Sequence, residues 1–100
     1  MSKITQSARG ESCKVRIPNV CNHNSETTIF AHINGVRYGH GIAKKVTDIL
    51  GADSCSSCHD VLDGRVKSEY TKEQLNLMHF EAMAETQLRL LADGLISERR

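Results

Sequence analysis

Four cysteines constrain this 100-residue chain more than any other feature: Cys13, Cys21, Cys55 and Cys58. Two residues between Cys55 and Cys58 let a tight knuckle turn aim both sulfurs at one tetrahedral ion. Cys13 and Cys21 lie seven residues apart in the intervening count and would close the other half of a site from a loop. That second spacing is wider than the usual interval of about two to four residues, so a four-cysteine zinc site is favoured by the spacing without being forced by it. His23 could stand in for one cysteine, but two positions after Cys21 it reads more simply as a turn residue. Three other chemistries use the same residues. Two disulfides need an oxidising compartment, Cys-x-x-Cys-His also attaches c-type haem, and a redox Cys-x-x-Cys expects a thioredoxin-like βαβ frame. The polar opening MSKITQSARGES has no apolar stretch of the kind an export signal carries, which points to a cytoplasmic protein with reduced thiols.

The length fits one domain, and only 4% of the residues are aromatic, with no Trp. Large rings therefore supply little burial, and a core this small gains from a metal staple. The formal net charge of +1 excludes a protein that holds nucleic acid by bulk charge. A phosphate-binding surface would have to come from local placement of Arg16, Arg37, Lys44, Lys45 and Arg65. No apolar run approaches the roughly 18 residues of a membrane helix, so no membrane partner is expected.

The expected architecture is α+β. Residues 1–12 read as a loosely docked arm. Val15 and Ile17 alternate with Lys14 and Arg16, the period of a short strand running to a turn at Pro18-Asn19. TTIFAHI (27–33) is β-branched and aromatic enough for a second strand. Gly35, Gly39 and Gly41 mark a loop, and a short strand or turn is expected around Thr47–Asp53. A helix should start at Ser56 or Ser57 and run to about Val66, weakened near its end by Gly64. Thr71 and Gln74 form a capping-box pair that opens a final helix over 71–93, closed by Asp93-Gly94. Along that helix Leu75, Met78 and Ala82, together with Leu77, Phe80, Ala84, Leu88 and Leu91, read as one broad apolar face. It would cover the small sheet or, alternatively, pair with a second copy as a homodimer.

The histidines carry the remaining chemistry. His59 follows the knuckle directly, and Asp63 lies four residues on, on the same helical face. An imidazole and a carboxylate so placed can share one divalent cation, or can simply cap the helix and face water. A zinc held by four thiolates has no open position, so any hydrolysis needs a second ion. His32 sits at a strand end, His40 in the glycine loop, and His79 inside the last helix, where a structural role is the simpler reading. Glu81 and Glu85 read as a solvated face.

Taken together, knuckle cysteines, a hairpin carrying a histidine, and Cys-x-x-Cys-His opening a helix resemble an HNH or ββα-metal (His-Me finger) endonuclease on a treble-clef zinc scaffold. More closely, ARGESCKVRIPNVCN (8–22), AHI (31–33), the Lys44/Lys45-to-Asp48 spacer and CSSCHDVLDGR (55–65) resemble the YbcO-type nuclease family of lambdoid prophages, as does EAMAETQ with the apolar run after it. The resemblance implies a structural zinc on Cys13, Cys21, Cys55 and Cys58, with His32 as the general base. It also implies a catalytic Mg²⁺ or Mn²⁺ on His59, with Asp63, Asp48 or water as the second ligand. Arg37, Lys44, Lys45 and Arg65 would contact DNA phosphates. The chain departs from the pattern at Ala31, where many HNH enzymes place a metal-binding Asp, and at Asp48, the nearest counterpart of the central Asn. The rival expectation is a non-catalytic treble-clef module that binds nucleic acid or a phage protein.

Overall fold

The computed structural model describes residues 3–33 and 49–98. Its elements run α1 (Lys3–Ser7), a single 3-10 turn over Ser25–Thr27, β1 (Ile29–His32), β2 (Gly51–Ser54), α2 (Ser56–Leu62) and α3 (Lys72–Ala92). β1 and β2 form an antiparallel pair in which Ile29 faces Ser54, Ala31 faces Ala52 and His32 faces Gly51. All four residues of β2 are buried, and small side chains let other elements close over it. α3 is fastened to the sheet by two buried side-chain hydrogen bonds, one to β2 and one to β1. The Asp53 N–H donates to Thr86 Oγ1 at 3.0 Å, and the His79 ring nitrogen Nε2 lies 2.9 Å from the Ala31 carbonyl.

Most elements agree with the sequence, and the disagreements have physical causes. α2 ends at Leu62, earlier than expected, because Gly64 takes φ +79° and turns the chain. α3 opens with the Thr71–Gln74 capping box, both reciprocal bonds being formed at 3.1 and 2.8 Å. It closes at Asp93 with Gly94 in the left-handed region.

Three expectations are corrected. The stretch expected to be a loose arm contains α1, and Ala8 after it is fully buried with Phe30 and Leu90. Residues 13–21 are not a strand. Val15 and Ile17 are buried as the alternation required, but Arg16 (φ 47°) and Asn19 (φ 64°) are left-handed, and the chain wraps around the Cys13 sulfur instead. The apolar face of α3 is two faces. His79, Ala82, Thr86 and Leu90 point inward, whereas Leu77, Phe80 and Leu88 are exposed.

Among the described residues the core has two parts. The larger gathers Cys13, Val15, Ile17, Ala52, Cys55, Cys58, Val61 and Ala82 around the sulfurs, and the smaller joins Ala8, Phe30 and Leu90. Gly51 belongs to the second by what it lacks, since a Cβ there would run into the Phe30 ring. Phe30 in turn meets His32 edge-on, with centroids 5.2 Å apart. Gly51→Ala is therefore expected to cost about 1–3 kcal/mol through overpacking, measured by chemical denaturation. A loss below about 0.5 kcal/mol would show that the ring swings aside freely.

A four-sulfur centre and a histidine face

The two halves of the cysteine cluster are built alike. In the second half, Cys55 caps α2 and its sulfur accepts the Cys58 N–H at 3.4 Å. In the first half, the Cys13 sulfur accepts the Arg16 N–H at 3.4 Å, three residues on in the same way. The left-handed Arg16 makes this second knuckle without glycine. The fourth sulfur then comes one turn later, where Cys21 N–H returns to the Ile17 carbonyl at 2.9 Å. A wide spacing is thus compatible with a tight site.

All four sulfurs lie within 4.8 Å of one another, and Cys21 and Cys55 are 3.9 Å apart. Tetrahedral zinc with Zn–S bonds near 2.3 Å requires sulfurs about 3.8 Å apart, so the four cysteines could hold a metal ion such as zinc. Electrostatics agree with a shared charge. The Cys13 thiol is held down to about 4, chiefly by its bond with Cys58, which burial opposes and the Arg16 N–H reinforces. Cys58 is pushed up by the same sharing and by burial, and Cys21 is pushed up to about 11 mainly by burial. A bound cation removes this competition, since coordinated thiols ionise outright. His23 stays outside the set. Its Nδ1 lies 3.7 Å from the Cys21 sulfur, at the distance of a hydrogen bond to sulfur, and its φ of 55° marks the turn expected there.

Asn22 ties this turn to α2. Its Nδ2 lies 3.2 Å from the hydroxyls of Thr27, Ser56 and Ser57, and its Oδ1 accepts the Asn24 N–H at 2.8 Å. The sequence marks Asn22 only as a turn-former, and its bridge to α2 carries no local signal.

His59 follows Cys58 directly within α2. His59 Nε2 and Asp63 Oδ2 are 3.2 Å apart, each side chain about a quarter exposed. Two ligands on adjacent octahedral positions at about 2.1 Å from one ion are separated by roughly 3.0 Å, so the pair has the spacing to share a divalent cation. It is equally a hydrogen bond as it stands. Among the described residues no third His, Cys, Asp or Glu joins it, the four sulfurs being the only such group of three or more. Arg65, 70% exposed, stands 3.9 Å from both Asp60 and Asp63.

His32 ends β1, half-buried beside Phe30. His79 lies behind it. A carbonyl only accepts, so the Ala31 contact fixes the proton on His79 Nε2. Burial chiefly lowers the His79 pKa and the Ala31 carbonyl opposes this, while positive charge on His59 and His32 would lower it and Asp63 raises it. His32, His59 and Asp63 are thus within electrostatic reach of one buried, neutral imidazole. Beside Asp63 opens a cavity of about 530 Å³ whose lining includes Lys67, Tyr70, Lys72 and Leu75. The structure therefore brings His59, Asp63 and Arg65 to one end of α2. Arg16 is engaged elsewhere, its Nη2 2.9 and 2.7 Å from the two Glu85 carboxylate oxygens. Arg37, Lys44, Lys45, Asp48 and His40 lie outside the described residues.

The sequence model of the family described as "Putative nuclease YbcO" matches residues 2–95. The chain belongs to the YbcO family. Proteins called "Putative nuclease YbcO" from Escherichia coli strain K12 and from Enterobacteria phage 82 are each 40% identical to it over 99 residues, covering 96% of this chain and 98% of theirs. A solved structure described as that of a putative bacteriophage protein from Escherichia coli K-12 MG1655 superposes with a TM-score of 0.76 at 38% identity. It covers 90% of this chain and 98% of that one. Both relatives thus carry the name putative nuclease, one from a bacterium and one from a phage. No helix among the described residues of this YbcO-family chain is long and apolar enough to cross a membrane.

Proposed function

We propose that this YbcO-family chain is a divalent-metal-dependent DNA endonuclease of the HNH, or His-Me finger, type, with zinc in the four-sulfur centre of a treble-clef scaffold. The observation that carries the proposal is the His59–Asp63 pair, 3.2 Å apart and fastened to the sulfur centre through the adjoining Cys58. His59 and Asp63 would hold a Mg²⁺ or Mn²⁺ ion, which when bound supplies positive charge to the scissile phosphate and its leaving oxygen. His32, at the end of the strand, accepts a proton from the attacking water. Neutral imidazole near pH 7 is the side chain suited to that task. Zinc and α2 hold His59, while β1 and its pairing with β2 hold His32, which meets the demand for fixed relative geometry. Arg65, 3.9 Å from Asp63, is proposed as a phosphate contact, together with Arg37, Lys44 and Lys45. The expected place of action is the cytoplasm of a phage-infected or lysogenic cell.

Nicking of supercoiled plasmid in Mg²⁺ or Mn²⁺ tests this reading. Wild type should cleave, and His32→Ala should lose about 10²–10⁴-fold in rate while keeping its zinc and its circular dichroism. His59→Ala should lose activity together with the second-ion site. Equal cleavage by wild type and His32→Ala would remove His32 from the mechanism.

A second reading, a non-catalytic zinc module binding nucleic acid or a phage protein, is favoured by two observations. His59 and Asp63 have no third protein ligand among the described residues, and Ala31 occupies the position of a metal-binding Asp. Titration of Mn²⁺ into zinc-loaded protein separates the two: saturable binding lost in His59→Ala supports the enzyme, and none supports the module.

A further inference from the structure

We infer that the cavity beside Asp63 takes one unpaired nucleotide of a DNA strand, so that this chain acts on single-stranded DNA or on a base turned out of a duplex. This rests on the nuclease reading, which puts the reacting phosphate at the His59–Asp63 pair, and names the substrate that reading leaves open. The cavity has a volume of about 530 Å³, inside the range of about 300–1,000 Å³ typical of small-ligand sites. Its lining is apolar where it meets the core. Tyr70 and Leu75, both half-buried, line it and pack against the cluster around the four sulfurs. Val66, 51% exposed, lines it as well, an apolar side chain that the fold leaves uncovered. The Tyr70 hydroxyl donates to the Pro18 carbonyl at 3.3 Å, which holds the ring in place. A fixed aromatic ring is a platform on which any base can stack.

Cations share the same space. Lys67 and Lys72 are exposed and line the cavity, and among the described residues neither is drawn into an ion pair. Asp63 is the only acid of this lining, and it is the one that stands 3.2 Å from His59. Apolar walls, two free ammonium groups and a carboxylate suited to a divalent ion together fit a flat body with apolar faces joined to a phosphate. A nucleotide is that ligand. A second cavity of about 420 Å³ shares Val66, Lys67 and Tyr70 but sets Asp60 and Glu69 against the one lysine. Phosphate is therefore favoured on the Asp63 side alone, and the site holds one nucleotide rather than a track of several.

The shape decides between paired and unpaired DNA. Inside a duplex a base is stacked and paired, and it reaches a cavity only by leaving the stack at a cost in energy. A base in a single strand, a loop or a mismatch gives up little or nothing. Such positions are the preferred substrates.

Anisotropy titration of the zinc-loaded full chain, with no Mg²⁺ or Mn²⁺ added, tests this apart from cleavage. The probe is a short labelled DNA strand of mixed sequence, alone and annealed to its complement. The single strand should bind at least about tenfold more tightly than the duplex. Tyr70→Ala should weaken the single strand by roughly ten- to a hundredfold without changing duplex binding or zinc content, and Tyr70→Phe, which keeps the ring, should bind as wild type does. Lys72→Glu should weaken it as well with the fold intact, because an acid in the first turn of a helix suits the helix dipole. No binding of the single strand, a duplex bound equally tightly, or Tyr70→Ala and Lys72→Glu proteins that hold the strand like wild type would each overturn the inference. Strand binding of the expected kind with no cleavage in Mg²⁺ or Mn²⁺ would remove the catalytic reading and leave the nucleotide in the cavity. Plasmid nicking by a chain that fails these titrations would remove the cavity's role and leave the nuclease.

Discussion

Stripping the metal from this chain is expected to unfold it. Cys13, Cys55 and Cys58 are core residues as well as candidate ligands, with Val15, Ile17, Ala52, Val61 and Ala82 packed around them. Without a cation, four sulfurs within 4.8 Å must share protons and charge, and the raised Cys58 and Cys21 pKa values show the resulting conflict. Zinc binding by small domains supplies about 10–16 kcal/mol at neutral pH, comparable to or above the whole stability of about 5–15 kcal/mol typical of a domain. The expected result is loss of the cooperative thermal transition on chelation, recovered when zinc is restored. Cys58→Ser should reproduce the loss without chelator. The sign of the pH dependence follows from the ligands. Each bound thiolate must shed its proton, so its pKa in the loaded fold lies below the unfolded value. The stabilisation is present at neutral pH and above, and is lost as the pH falls and protons compete with the metal. A chelated protein that still melts cooperatively within about 2 kcal/mol of the loaded form would show that the apolar core alone suffices. Zinc content by atomic emission, one ion per chain, completes the measurement.

What the sequence made legible was local. Cys55-x-x-Cys58, the Thr71–Gln74 cap and the Gly94 stop each act within one turn of chain, and each forms the local turn its spacing expects. His59 and Asp63 meet because an i, i+4 spacing on a helix leaves them little choice. Residues 13–21 misled for a physical reason. Two buried apolar residues alternating with two polar ones fit a strand, but they also fit a knuckle around Cys13. Only the left-handed φ of Arg16 and Asn19, at residues other than glycine, separates the two. The α3 face misled because hydropathy cannot see His79 and Thr86 as inward residues. They are inside because the sheet backbone offers them hydrogen-bond partners at Ala31 and Asp53. Once these two polar residues are placed inward, Leu77 and Leu88 must point outward. α1 was hidden because its packing rests on partners distant in sequence, β1 on one side and the end of α3 on the other, as in the Ser7–Arg89 contact.

That contact belongs to a network whose disruption is the other large effect expected. Asp53 is fully buried, and Arg89 grips it with Nε 2.7 Å from Oδ2 and Nη2 2.8 Å from Oδ1. Lys14 Nζ adds a contact at 3.4 Å, and the guanidinium also reaches Ser7 and Asp93. The carboxylate raises the Arg89 pKa above its ordinary value, so the cation persists at every accessible pH. Arg89→Met keeps the apolar stem but leaves Asp53 without its main partner, and breaking a buried pair in this way costs about 3–5 kcal/mol. The loss should also reach the sulfur centre. The Asp53 carbonyl accepts the Lys14 N–H at 2.8 Å, next to Cys13, and β2 runs on through Ser54 into Cys55, so one residue steadies both halves of the cluster. Lower stability and weaker zinc retention should therefore appear together, measured by denaturation and by competition with a chromogenic chelator. Arg89→Lys should recover only part, because an ammonium cannot form the two-point fork. The double variant Arg89→Met, Asp53→Leu removes both buried charges and should cost less than the sum of its single changes, by roughly 1–3 kcal/mol. Strict additivity, or an Arg89→Met protein within about 1 kcal/mol of wild type, would mean that water solvates Asp53 well enough to replace the guanidinium. The pair would then be a surface ornament of the fold, with Thr86 and His79 left to hold α3 on the sheet.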